Sequence, residues 1–263
     1  MMMTKISSIR EANNRRKVPQ MKLAVFGGSF NPLHVGHAML ADTIITELGY
    51  DKVLFVPTFI TPHKTCGGDV TSEQRLEMVK AFCASVDHNK FETETCEFDR
   101  GGVSYTSDTL SFLTQKYKDV LSGKLAFVMG DEVAAEFDKW RNPELVSELA
   151  DLIIVHRYPD VGALEKLLYS SSAAEKIEQK KEAYKNTPSG AYKGDFAVKF
   201  DKDTFKYPHI YIENPMLPVS STDIRKRISS GKSFRYLVPE AVYKYIMANG
   251  LYRGPSTGSG TPL

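Results

Sequence analysis

The chain has 263 residues, of which 42% are hydrophobic, 25% charged and 11% aromatic, a profile that excludes a disordered or collagen-like protein and leaves ample core material. At the usual ~100 to 200 residues per domain, this length suits one large domain, or one domain with a small appendage. The formal net charge is +2, yet residues 1–20 carry Lys5, Arg10, Arg15, Arg16 and Lys17 against Glu11 alone, a net of +4 that leaves −2 on the remainder. A body this close to neutral asks for no nucleic-acid partner.

In chain order, residues 1–20 read as a flexible basic tail, with Met21 directly before the first strand as a candidate alternative translation start. The tail lacks the apolar stretch of a secretion signal, and no run reaches the ~18 apolar residues of a membrane span. A cytoplasmic protein with no membrane association is expected. From Met21 onward, short β-rich runs alternate with helix-period segments, the pattern of a parallel sheet wrapped by helices. Strands are expected at Leu23–Phe26, Val53–Val56, Phe91–Cys96, Leu125–Met129, Leu152–Val155 and His209–Ile212. Helices are expected at Val35–Leu48, Ser72–Val86, Tyr105–Lys116 and Pro143–Leu149.

The fold class is therefore α/β, a doubly wound parallel sheet of Rossmann-like type with a small C-terminal helical part. Residues 21–253 form this domain. It is interrupted at 157–207 by a Lys-, Glu-, Ser- and Gly-rich insertion, with a charged helix from Gly162 to Tyr184 and a loop from Asn186 to Gly194. Residues 254–263, rich in Gly, Ser, Thr and Pro, read as a disordered tail. Cys66, Cys83 and Cys96 lie 17 and 13 positions apart, which suits neither a disulfide framework nor a zinc knuckle, so reduced and mostly packed thiols are expected.

Doubly wound domains bind ligands at the carboxyl ends of their strands, which directs attention to the segment after the first strand. There Gly27, Gly28, Ser29, Phe30, Asn31, Pro32, Leu33, His34, Val35, Gly36 and His37 form a glycine turn leading straight into a helix. Glycines let backbone N–H groups close around a phosphate, and a helix N-terminus adds a field that favours negative charge. If the helix begins at His34, the two histidines project from nearly one face toward whatever the turn holds. Capping and packing of a helix start is the plainer alternative for the pair. The turn is not a Walker loop, since no Gly-Lys-Ser/Thr follows, and it lacks the G-x-G-x-x-G of a dinucleotide site.

A second element, Val219-Ser220-Ser221-Thr222-Asp223-Ile224-Arg225-Lys226-Arg227, lies far downstream. Capping explains the Ser and Thr residues. It does not explain Arg225, expected in the first turn of the helix, where a cation is disfavoured unless an anion lies nearby. A triphosphate held between this turn and the His pair would be that anion, with the guanidinium forking onto its oxygens.

Taken together, G-G-S-F-N-P-x-H-x-G-H and V-S-S-T-x-I-R resemble the nucleotidylyltransferase superfamily. Further matches narrow the resemblance to bacterial-type nicotinate-nucleotide adenylyltransferases: Thr61-Pro62-His63-Lys64, Ser104 to Leu110, Gly130-Asp131, Trp140 and the closing Asn249-Gly250-Leu251-Tyr252-Arg253. The resemblance runs collinearly from Lys22 to Arg253, apart from the insertion.

It implies an enzyme that joins ATP and nicotinate mononucleotide into nicotinate adenine dinucleotide and releases pyrophosphate, by in-line attack and without a covalent intermediate. It assigns His34, His37 and Arg225 to catalysis, with His37 on the α-phosphate and the other two on the departing phosphates. Gly27, Gly28, Ser29, Phe30, Asn31, Asp131, Ser221 and Thr222 would join Arg225 in binding ATP, Asp131 at the ribose or adenosine. Lys64, Tyr105, Thr106, Trp140 and Arg141 would bind the nicotinate nucleotide: Trp140 by stacking on the pyridinium ring, Thr106 and nearby backbone N–H groups by meeting its carboxylate. The plainer alternatives are core packing for Trp140, an exposed loop for Lys64 and an N-cap for Asp131. Mg²⁺ is the implied cofactor, held by substrate phosphates and water more than by a protein cage.

Three departures from the family pattern stand out. Asn31 replaces a common Asp, and the insertion has no counterpart. Arg141 follows Trp140 where an aromatic is usual, and its guanidinium either pairs with the substrate carboxylate or points to solvent. Three roles stay open for the insertion: covering the site, mediating homo-oligomerisation, or neither. Alternative acceptors are nicotinamide mononucleotide, phosphopantetheine or a sugar-alcohol phosphate, and a non-catalytic nucleotide sensor is the alternative outside catalysis. A class I aminoacyl-tRNA synthetase shares the H-x-G-H turn but needs a lysine loop that this chain does not carry.

Overall fold

The computed structural model describes residues 19–60, 70–86, 89–156, 200–212 and 219–253. Lys64, Cys66, most of the basic tail, residues 157–199 of the expected insertion and residues 254–263 lie outside the described residues.

Six strands form one parallel sheet: β1 (Leu23–Gly28), β2 (Lys52–Pro57), β3 (Phe91–Thr93), β4 (Leu125–Gly130), β5 (Ala150–Val155) and β6 (His209–Ile212). Their spatial order is β3-β2-β1-β4-β5-β6. The order reverses between β1 and β4, which pair through Ala24↔Ala126 and Phe26↔Val128, and a ligand crevice opens at the carboxyl ends of strands flanking such a reversal.

β1, β2, β4 and β5 read as near-continuous apolar runs because both of their faces are covered. Ala24, Phe26, Val53, Phe55, Ala126, Val128, Ile153 and Val155 point to one core, and Leu23, Val25, Leu54, Val56, Leu125, Phe127, Leu152 and Ile154 to the other. The first core is covered by α1 (Val35–Thr46), α2 (Ser72–Ala84), α7 (Ser221–Ser229) and α8 (Glu240–Ala248), through Leu40, Ile44, Met78, Val79, Phe82, Ile224, Ile228, Val242 and Ile246. The second is covered by α4 (Thr106–Tyr117), α5 (Asp131–Ala134) and α6 (Pro143–Leu149), through Leu110, Leu113, Ala134 and Val146. The helices of the C-terminal part thus share a face with α1.

Two elements differ from the sequence expectation. Phe91–Cys96 alternates like a strand, yet only Phe91–Thr93 is one, and Cys96 opens a short helix, α3 (Cys96–Arg100). β3 is an edge strand pairing with β2 over Val53–Phe55 alone. Beyond it, the Glu94 N–H still donates to Phe55 O at 2.8 Å, while its buried carboxylate turns to Lys116 Nζ at 2.6 Å and Tyr117 Oη at 3.0 Å. The other difference is at the end of the insertion, expected at the surface. There Phe200, Phe205 and Tyr207 pack on the second core, with the Tyr207 ring 4.9 Å from that of Phe137.

Cys83 and Cys96 are free thiols. Burial pushes them up to about 11 and about 12 respectively.

Candidate active site

The turn after β1 is anchored by Phe30, which is 1% exposed and whose ring lies 5.6 Å from both Phe26 and Phe55. Phe30 holds φ +44°, a conformation uncommon for a residue with a Cβ. Gly28 makes room for it, since a Cβ there would meet the Phe30 ring at 3.1 Å. With its ring in the core, Phe30 can serve a ligand only through its backbone. Asn31 and His34 are also buried, whereas Ser29 is exposed at the lip of the turn.

α1 starts at Val35, one residue later than the histidine spacing assumed, and His34 is its extended N-cap. The pair still converges: the imidazole centroids are 3.7 Å apart. The His34 backbone N–H donates to His37 Nδ1 at 3.1 Å. With Nδ1 an acceptor, the proton of a neutral His37 ring sits on Nε2. Phe30 lies edge-on to His37 at 5.2 Å.

The downstream motif closes on the same turn. Ser220 is the N-cap of α7, accepting from Asp223 N, so Ser221 and Thr222 are released from the capping role that sequence allowed them. The Ser221 hydroxyl donates to Pro32 O at 2.9 Å. Arg225, in the second turn of α7, donates from Nη1 to Asn31 O at 2.7 Å and from Nη2 to Thr222 Oγ1 at 3.2 Å. Val35 N–H donates to Leu237 O at 3.1 Å, and Tyr252 Oη to Asn31 Oδ1 at 2.7 Å. Burial pushes the Tyr252 phenol up, so it stays a donor. One loop thus carries two imidazoles and is clasped by a guanidinium from the far end of the chain.

Asp131 is 1% exposed and follows β4 beside this turn. It is the first helical residue of α5; the N-cap is Gly130. Asp131 Oδ1 accepts from Glu132 N at 2.9 Å, and Oδ2 lies 2.7 Å from Nδ1 of His156, the residue after β5. Sequence reasoning passes over His156. It follows β5 as Asp131 follows β4, and that position was the available signal.

A second group gathers at the start of α4. Tyr105 is its N-cap and Thr106 its first residue, where the leading N–H groups have no intrahelical acceptor. Arg141 lies over the Tyr105 ring at 4.6 Å, with Nη1 3.4 Å from Asp108 Oδ2 and about half of its side chain exposed, so its charge lies along the start of α4 at the surface. Trp140 is half-buried against Phe137 at 5.0 Å and Phe127 at 6.0 Å. Phe127 in turn lies 3.7 Å from the Cβ position of Gly27, which joins the two groups through one ring.

Residues 25–227 match the Cytidylyltransferase-like family model. The "Probable nicotinate-nucleotide adenylyltransferase" of Treponema pallidum subsp. pallidum is 36% identical over 236 residues, covering 89% of this chain and 100% of that protein. The chain belongs to the nicotinate-nucleotide adenylyltransferase family. A protein of the same name from Borrelia garinii subsp. bavariensis is 34% identical, covering 88% of this chain and 95% of its own. The fold agrees with that of Plasmodium falciparum nicotinic acid mononucleotide adenylyltransferase complexed with NaAD, at TM-score 0.60 and 16% identity over 89% of this chain and 98% of that one.

For a member of this nucleotidyltransferase family, the donors around the turn have a common character. Imidazole, guanidinium, hydroxyl and backbone N–H all suit phosphate oxygens. Among the described residues, no group of three or more His, Cys, Asp or Glu is placed to hold a metal ion. No described helix is long and apolar enough to cross a membrane.

Sequence reasoning also misses Arg75. It sits in α2, is 1% exposed and donates from Nη1 to Ser29 O at 2.7 Å and from Nη2 to Thr58 O at 2.8 Å and Phe59 O at 3.1 Å. A signal was present: Arg75 precedes Met78, Val79 and Phe82 by three, four and seven positions, so a charge stands on the apolar stripe of a helix.

Proposed function

We infer that this chain transfers the adenylyl group of ATP to nicotinate mononucleotide, giving nicotinate adenine dinucleotide and pyrophosphate in NAD biosynthesis. The observation that carries the reading is the Arg225–Asn31 contact, 194 positions apart in sequence, which brings a guanidinium onto the loop that presents His34 and His37. The family membership supplies the acceptor.

In this reading ATP lies along the turn from Gly27 to Asn31, with Asp131 toward its ribose. His37 donates from Nε2 to an α-phosphate oxygen as the acceptor's phosphate attacks in line. His34 and Arg225 hold the departing pyrophosphate, assisted by the hydroxyls of Ser221 and Thr222. The protein mainly aligns two reactants and absorbs charge that develops between them. Mg²⁺ is the divalent cation proposed, and when bound it neutralises charge across the phosphates. Trp140 faces the pyridinium ring, a contact worth ~0.5 to 2 kcal/mol. Thr106 and the N-terminal N–H groups of α4 meet the ring carboxylate, with the Arg141 charge beside them and Lys64 toward the acceptor's phosphate.

The test is a panel of nicotinate mononucleotide, nicotinamide mononucleotide and phosphopantetheine, each with ATP and Mg²⁺ and read by pyrophosphate release. The fastest turnover is expected with the acid nucleotide. ATP binding by calorimetry without turnover of any acceptor would overturn the reading in favour of a nucleotide sensor.

A further inference from the structure

A buried cation in the first turns of a helix faces two penalties: it leaves water, and it opposes the dipole. Arg75 sits in that position, fourth in α2. Among the described residues its guanidinium makes no ion pair, and its partners are three main-chain carbonyls on two loops. Packing alone would be served better by Met or Leu, so the arrangement asks for another explanation.

The two loops are those that bear the two halves of the site. Ser29 belongs to the phosphate turn after β1. Thr58 and Phe59 follow β2, and the segment they begin is tied onward to the pyridine end. Ile60 bridges Val103, with Ser104 N–H donating to Ile60 O at 3.1 Å, one residue before Tyr105. Phe59 N–H donates to Glu97 Oε2 at 3.3 Å, and Glu97 Oε1 accepts from Thr109 of α4 at 2.9 Å. The Ser72 hydroxyl adds a bond to Phe59 O at 3.2 Å. A continuous set of bonds therefore runs from Ser29 through Arg75 to the helix that begins at Thr106. Arg75 and Arg225 donate to carbonyls two residues apart, Ser29 O and Asn31 O, each at 2.7 Å, which places the two cations around one loop.

We propose that Arg75 is a positioning residue for adenylyl transfer: its fork sets the spacing between the phosphate turn after β1 and the loop after β2, and so the alignment of the attacking phosphate with the α-phosphorus. The proposal rests on the functional reading above. In-line transfer is sensitive to such spacing, since a displacement of ~1 Å far from the reacting atoms can cost about a hundredfold in rate. Lysine keeps the charge but offers all its donors from one nitrogen, and it cannot span both loops as two separate Nη atoms do.

The experiment measures kcat and both KM values for wild type, Arg75→Lys and Arg75→Met, each expressed per folded molecule from near-ultraviolet circular dichroism. Met matches the apolar stripe and keeps the test open if Lys fails to fold. Both variants are expected to lose about tenfold to a hundredfold in kcat while either KM moves less than about threefold. A purely structural role would lower the folded fraction and leave kcat per folded molecule intact, which overturns the proposal. Loss confined to the KM of ATP also overturns it, because Arg75 would then shape one loop only. Wild type that releases no pyrophosphate with nicotinate mononucleotide sinks the functional reading itself, an outcome distinct from an active wild type with equally active variants.

Discussion

Tyr252 and Asn31 are 221 positions apart, and the phenolic hydroxyl of the first donates to the amide oxygen of the second at 2.7 Å. Asn31 offers a neutral acceptor, and a phenol held protonated by burial satisfies it. Tyr252→Phe would leave that buried oxygen without its donor, a loss of about 1–2 kcal/mol. For a domain of this size the thermal midpoint should fall by roughly 2–8 °C. An unchanged midpoint in a melting series would show that the bond contributes nothing.

His37 carries the largest expected effect on rate. Its Nδ1 accepts from the His34 N–H, and the proposed function assigns Nε2 to the α-phosphate. His37→Ala should lower kcat by about two to three powers of ten, the scale of losing one donor to developing charge. Loss of the single bond to the backbone should cost about 1 kcal/mol in denaturant unfolding. Full-speed turnover by the variant would remove the histidine from the chemistry.

Arg225 already commits donors to Asn31 O and Thr222 Oγ1, and a guanidinium spreads its remaining N–H groups over a planar fork that suits phosphate oxygens, which the single nitrogen of a lysine cannot do. Arg225→Lys should therefore reduce kcat/KM for ATP by about a hundredfold, with the KM of the pyridine nucleotide nearly unmoved. Steady-state titration of each substrate separates the two. Equal damage to both would mean that the clasp, and not the phosphate contact, was lost.

Arg141 is half-exposed, and its charge rests between the Tyr105 ring and Asp108. In the proposed function its place next to the start of α4 would favour a carboxylate on the bound ring over a carboxamide. Arg141→Ala should lower kcat/KM for nicotinate mononucleotide by about fivefold to tenfold, the scale of a partly exposed charge-assisted contact. Turnover of nicotinamide mononucleotide should change little. Competition of the two nucleotides in one reaction measures the shift directly.

Alkaline pH should destabilise the fold in a defined window. Cys83 and Cys96 titrate at an ordinary value of 9.0 when unfolded, and burial pushes them up to about 11 and about 12 in the native protein. Above pH 9.0 the unfolded chain holds fewer protons, so stability, complete below that point, is lost as pH rises toward about 12. Tyr117, raised by burial and by Glu94, acts in the same direction. Urea midpoints across this range should fall, and less steeply in Cys96→Ala.

Local rules made much of this protein legible in its sequence. Continuous apolar runs marked β1, β2, β4 and β5 because a strand covered on both faces has no polar side to show. The Gly27–His37 turn and the Ser220–Arg225 motif were visible because phosphate chemistry needs those residue types close together. Tertiary structure decided what such rules do not reach. Period 2 in Phe91–Cys96 could not reveal that the edge of the sheet offers only three partners on β2, and no spacing rule joins Arg225 to Asn31. That contact exists because the strand order reverses at β1 and α7 packs on the same face as α1, where burial of Ile224 and Ile228 fixes the helix. Arg75 shows the division most clearly: sequence places a charge on an apolar stripe, and only the packed loops supply the carbonyls that make it tolerable.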